Sequence, residues 1–148
     1  MRKKVVHAVL AFLLASAAGV ARAAPACTGL AAGTLAFGAY DPLATAPRDA
    51  TTTISYRCAA SLHPVVSLGA GGGTYAARVL RGPGGDSLGY GLYTTALRDV
   101  VWGNGTSGSV TVAVDVRARQ VVVYGRLFAQ QDARVGGYAD TIIVTFDF

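Results

Sequence analysis

The sequence predicts an all-β protein, a two-layer sandwich, and three observations carry that expectation. Beyond residue 23 every acid is Asp and every base is Arg, so the long straight-chain helix formers Glu and Lys are absent, while 18 of the 19 Gly and all seven Tyr remain. Short alternating segments separated by turn signals follow one another from Leu35 onward. No helical period longer than two turns and no repeat at intervals of about 20–50 residues interrupts them.

Residues 1–23 read as a secretory signal: a basic start in Arg2, Lys3 and Lys4, an apolar run from Val5 to Val20, and Ala21-Arg22-Ala23 before Ala24. An uncleaved anchor needs roughly 18 or more apolar residues, and Val5–Val20 gives 16 with His7 inside. Cleavage after Ala23 leaves 125 of the 148 residues, a single domain over 24–148 with no dividing linker or charge block. Arg2, Lys3, Lys4 and Arg22 depart with the leader, so the formal charge of +5 falls to nine basic groups against eight acidic ones, about +1. The basic pI of 9.6 therefore belongs largely to the leader. Nucleic acid as a partner loses its electrostatic basis, and no membrane span remains after cleavage.

Cys27 and Cys58 are the only cysteines and both lie beyond the signal. In an oxidising compartment they are expected to pair, closing a loop of about 30 residues that chain entropy rates at roughly 3.5–4 kcal/mol. Metal ligation is a poor fit, since two Cys and the one remaining His, His63, form no ligand cluster.

The clearest element is Thr51–Cys58, with Thr52, Ile54, Tyr56 and Cys58 on one face and Thr51, Thr53, Ser55 and Arg57 on the other, a half-buried strand. Pro64–Leu68, Tyr75–Leu80, Leu88–Thr95 and a short Val100–Trp102 piece follow. Val110–Val116 and Val121–Phe128, joined around Arg117-Ala-Arg-Gln120, are expected to form a hairpin with a long loop. The last strand, Tyr138–Phe148, places Tyr138, Asp140, Ile142, Val144, Phe146 and Phe148 on one side. No spare alternating segment lies outside these strands, so an apolar strand edge is left to be covered. Gly69–Gly73, Gly82-Pro-Gly-Gly85, Gly103-Asn-Gly105 and Gly136-Gly137 supply the reversals.

Catalytic and ligand motifs are weak. Gly69–Gly73 has no following Lys-Ser/Thr and opens no helix, so it reads as a turn rather than a phosphate cradle. Asn104-Gly105-Thr106 matches the glycosylation acceptor pattern, but Asn-Gly is also a strong turn pair, and the turn is favoured. His63, before Pro64, lacks a nucleophile partner, and the six Ser after the leader show no nucleophile elbow. The expectation is no enzyme and no cofactor. Phe37, Tyr40, Tyr90, Tyr93, Trp102 and Tyr124 are expected mostly in the core rather than on a sugar-stacking surface.

An ordered set of residues carries a family likeness: Cys27, then Leu35-Ala-Phe-Gly-Ala-Tyr-Asp-Pro42, Ile54-Ser-Tyr-Arg-Cys58, Arg78, Tyr90-Gly-Leu-Tyr93, Trp102-Gly103, Tyr124-Gly-Arg126, and Gly137-Tyr-Ala-Asp-Thr141 before a Val-Thr-Phe ending. This set resembles the spore coat protein U domain over nearly the whole of 24–148. The resemblance implies an immunoglobulin-like sandwich lacking its last strand, in an exported subunit of an archaic chaperone-usher pilus or a spore coat. A periplasmic chaperone would fill the groove first, a neighbouring subunit's N-terminal extension would replace it, and an outer-membrane usher would be the exit to the cell surface. The groove walls, and the chaperone contact, would be Leu35 and Phe37 of the first strand with Ile142, Val144, Phe146 and Phe148 of the last.

One departure bears on assembly. Polymerising members carry an alternating donor run before the first Cys, whereas Ala24-Pro25-Ala26 alone would separate the cleavage site from Cys27. Three residues span at most about 10 Å, and Pro25 removes a ladder hydrogen bond. The resemblance then implies a subunit that accepts a strand but cannot give one, an adhesive tip or terminal subunit. Two other functions compatible with the same fold are a self-standing secreted or coat protein that closes its own sandwich, and a secreted sugar-binding sandwich.

Overall fold

Alternation of apolar residues at every second position builds the protein almost entirely from strands. The computed structural model describes residues 6–15 and 27–148. Its ten strands are β1 Val6–Ala15, β2 Cys27–Ala32, β3 Leu35–Tyr40, β4 Arg48–Cys58, β5 Val65–Leu68, β6 Arg78–Arg81, β7 Ser87–Tyr93, β8 Val112–Ala113, β9 Gln120–Leu127 and β10 Gly136–Asp147. Hydrogen-bonded neighbours fall into two runs, β2-β4-β9-β7-β6 and β3-β1-β10-β5-β8. They join at a corner where Ala139 of β10 faces Arg81 of β6. The long β10 makes this possible, since the same edge meets β6 near its start and β5 from Val144 to Asp147. One core lies between the layers, with β3 packed over β4 and β9 without pairing to either.

The alternation expected in β4 is observed: Ile54 and Tyr56 are buried, Thr52 and Cys58 half-buried, and Thr51, Thr53 and Arg57 exposed. In β10, Tyr138, Ile142, Val144 and Phe146 are buried on one side. Phe37, Tyr40, Tyr90 and Trp102 enter the core, while Tyr93 and Tyr124 are half-buried with the Arg98 guanidinium 5.8 Å over the Tyr124 ring. Cys27 and Cys58 form a disulfide, as neighbours in the β2–β4 ladder.

Four expectations need correction. Val110–Val116 and Val121–Phe128 do not form a hairpin: β8 pairs with β5, whereas β9 pairs with β4 and β7, so the Arg117–Gln120 connection crosses between layers. Val110–Val116 contracts to the two residues of β8 plus a bridge from Val110 to Trp102, and Val100–Trp102 is likewise held by isolated bridges. Cys27–Ala32 is a strand the alternation did not announce, because its burial is partial throughout. The sandwich also does find a further segment, since Val6–Ala15, within the stretch read from the sequence as a secretory signal, pairs as β1. Its Ala- and Leu-rich composition favours helix in isolation, but two open strand edges offer it a ladder on both sides. Residues 1–5 and 16–26 lie outside the described residues, and with them the expected cleavage site after Ala23.

The corner between the layers is fixed by a buried cation. Arg78 is 0% exposed. Its Nε, Nη1 and Nη2 donate to the carbonyls of Gly69 (2.9 Å), Tyr75 (3.0 Å) and Trp102 (2.7 Å), and burial pulls its pKa below the ordinary guanidinium value. The Trp102 indole in turn donates to the Val66 carbonyl at 3.0 Å, tying this loop to β5.

Candidate functional site

The first strand after the disulfide strand, β3, and the last strand, β10, lie in one layer but do not pair with each other. A slot one strand wide separates them, and β1 occupies it. β1 runs parallel to β10 from Val6 opposite Gly136 to Ala15 opposite Thr145. It runs antiparallel to β3 from Val6 opposite Tyr40 to Leu10 opposite Leu35, with an irregularity between Ala8 and Val9. Period-two alternation sets what enters the slot. Leu10 is fully buried, Phe12 and Leu14 pack on the core, and Leu13 points out, 59% exposed.

Leu35 and Phe37 on β3 and Ile142, Val144 and Phe146 on β10 are all buried beside this strand. Phe148 lies past the end of β10 and is 55% exposed, outside the slot. Each buried wall side chain gains about 1.5–3 kcal/mol from its removal from water, so a slot without an occupant is an apolar trough flanked by two unpaired ladders. Phe37 packs against Tyr90 with ring centroids 5.9 Å apart, and Phe146 against Tyr56 at 5.8 Å, both tilted.

Residues from the opposite layer position the walls. Gly125 of β9 sits under β3, where a Cβ would collide with Leu35 Cδ2 and press on the Phe37 ring, so any larger residue would push these wall side chains aside. Tyr90 of β7 donates through its hydroxyl to Asp140 Oδ2 of β10 at 2.7 Å. Asp140 Oδ1 also accepts from the backbone N–H of Gly72 (3.1 Å) and of Thr141 (2.8 Å). Burial, and then the bond to the Asp140 carboxylate, push the Tyr90 phenol well above its ordinary pKa, so it remains a donor. Sequence reasoning took Tyr90 for a core aromatic and Gly125 for part of a motif. The available signal was the Tyr-Gly pair recurring at Tyr90-Gly91 and Tyr124-Gly125.

The other sequence candidates stay apart from the slot. His63 is exposed in the loop before β5. Asn104 forms the turn, its Oδ1 accepting from the Thr106 N–H at 3.1 Å and hydroxyl at 2.6 Å. Among the described residues no group of His, Cys, Asp or Glu is arranged to hold a metal ion.

The family model described as Spore Coat Protein U domain matches residues 11–145. Protein U of Myxococcus xanthus is 33% identical over 135 residues, an alignment covering 82% of this chain and 75% of that protein. Among solved structures, this chain resembles one in the CsuC–CsuE chaperone–tip adhesion subunit pre-assembly complex of the archaic chaperone-usher Csu pili of Acinetobacter baumannii. The sequence identity is 24% and the TM-score 0.48, with 70% of this chain covered. The overlap spans 35% of the Csu chain, about a third of its length.

Proposed function

Because this chain belongs to the Spore Coat Protein U domain family, a family of structural rather than catalytic proteins, we propose that it is an exported subunit of an archaic chaperone-usher pilus. Its working surface is the slot between β3 and β10. One observation carries the reading: the slot is completed by Val6–Ala15, the segment assigned to the secretory signal. Signal cleavage after Ala23 takes that strand away and leaves Leu35, Phe37, Ile142, Val144 and Phe146 needing cover. A periplasmic chaperone supplies it first, a neighbouring subunit's extension replaces it, and an outer-membrane usher passes the product to the cell surface. With Ala24-Pro25-Ala26 before Cys27 after cleavage, the subunit accepts a strand without giving one, which suits a tip or terminal adhesive position.

The test is expression of residues 24–148 in a periplasm with and without the cognate chaperone. The expected result is soluble protein only with the chaperone, and a soluble monomer without it overturns the acceptor reading. A synthetic peptide of residues 6–15 added to the purified domain should raise its melting temperature, and no shift would argue for a closed fold.

A second reading is favoured by β1 itself. If the leader is retained, the chain closes its own sandwich and serves as a self-standing secreted or coat protein. N-terminal sequencing of the exported product separates the two, giving Ala24 for the first and a start before Val6 for the second.

A further inference from the structure

Nine arginines lie beyond the leader, and six of them have a partner for the guanidinium. Arg98 and Arg126 reach Asp49, Arg134 reaches Asp86, and Arg48, Arg78 and Arg81 donate to backbone carbonyls. The remaining three, Arg57, Arg117 and Arg119, have no side-chain hydrogen bond or ion pair among the described residues, and all three line one cleft. That cleft, about 320 Å³, is completed by Cys58, Ala60 and Val116. It lies where the end of β4 meets the loop between β8 and β9. Two features fix its shape: the disulfide holds Cys58 to β2, and the loop is closed by Tyr56, whose hydroxyl donates to the Asp115 carbonyl at 3.0 Å and whose N–H donates to the Arg119 carbonyl at 2.9 Å. Arg119 is held at φ 60°, a left-handed conformation uncommon for a residue with a side chain. Asp115, two residues before Arg117, uses Oδ1 to accept from the Arg117 N–H at 2.8 Å rather than from a cleft guanidinium.

Three guanidiniums around one cleft repel one another unless an anion joins them, and the planar fork of Arg suits carboxylate and phosphate oxygens. We propose that the Arg57–Arg117–Arg119 cleft binds the carboxylate or phosphate groups of an acidic polysaccharide. Among the described residues no aromatic side chain lines it, so its walls offer no ring on which a nucleic-acid base could stack. The cleft is separate from the β3–β10 slot, and the binding it provides does not depend on what fills that slot.

The experiment uses the full chain in calorimetric titrations with polygalacturonate as the carboxylated polymer, phosphomannan as the phosphorylated one, and neutral dextran and single-stranded DNA as comparisons. The expected result is saturable binding to one or both acidic polysaccharides, weakening as ionic strength rises through the physiological range. The R117A/R119A double variant should lose about tenfold or more in affinity, R117K/R119K less, and R134A should match the parent. All three cleft arginines are exposed, and an unchanged melting curve of the double variant verifies its fold. Binding to neither acidic polymer overturns the proposal. So does equal affinity for dextran or single-stranded DNA, or an equal loss in R134A and the double variant.

Discussion

The Tyr90 hydroxyl donates to Asp140 Oδ2 at 2.7 Å, tying β7 of one layer to β10 of the other across the core. The same ring packs on Phe37 of β3, so one side chain touches both walls of the slot and sets their separation. Replacing Tyr90 by Phe keeps the ring and removes the bond. Because the acceptor is a carboxylate, the loss should be about 1.5–3 kcal/mol in urea unfolding. Binding of the residue 6–15 peptide should weaken as the walls lose their common anchor.

Phe146 and Phe148 lie two positions apart on one face of the sequence pattern, yet one is buried and the other mostly exposed. Phe146→Ala should cost about 3–5 kcal/mol, whereas Phe148→Ala should stay within about 0.5 kcal/mol. Paired denaturant melts measure the contrast directly.

Arg78 is held by three carbonyls rather than by a carboxylate, so its fork geometry matters as much as its charge. Arg78→Lys cannot satisfy all three acceptors, and Arg78→Met satisfies none. Each should destabilise by about 3 kcal/mol or more, with Met no better than Lys, as read from thermal unfolding.

Cys58→Ala opens the loop closed across a sequence separation of 31. The expected loss is about 3.5–4 kcal/mol, seen as sharply reduced periplasmic yield. Reduction of the parent protein with dithiothreitol should lower its melting temperature by a similar extent.

Asp49 accepts from Arg126 Nε and Nη2 at 2.8 and 2.9 Å and lies 3.2 Å from Arg98. The Arg126 bond, aided by the Arg98 charge, holds its carboxyl below the ordinary carboxylate range. A pKa depressed in the folded state stabilises above the unfolded value of about 4 and is lost as pH falls through the folded value. Acid titration of stability should therefore show a decline below about pH 4 that is smaller in Asp49→Asn, by at most about 1 kcal/mol because the pair is partly exposed.

Much of the fold was legible in short-range pattern. Thr51–Cys58 and Tyr138–Phe146 bury the faces their alternation designates, because a strand with one side on a core must repeat every two residues. Cys27–Ala32 was not legible, since an edge strand with only partial burial carries no such contrast. The false hairpin at Arg117–Gln120 has a related cause: two alternating segments in sequence look alike whether they turn back within one layer or cross to the other. The pairing of Val6–Ala15 was not legible for a third reason: an apolar run with no formal charge suits a membrane-targeting signal and a buried strand alike, and its pairing depends on strand edges far along the chain.

The sequence by itself determined the class of fold, the cysteine pair and the near-neutral charge of residues 24–148, because these depend on residue type and nearest neighbours along the chain. Tertiary structure alone decided that β3 and β10 stand one strand apart, that Tyr90 braces both, and that Arg57, Arg117 and Arg119, without a side-chain partner among the described residues, meet in one cleft. Such relations join residues up to about a hundred positions apart, and local pattern cannot encode which strand edges meet or which charges remain unpaired when the two layers close.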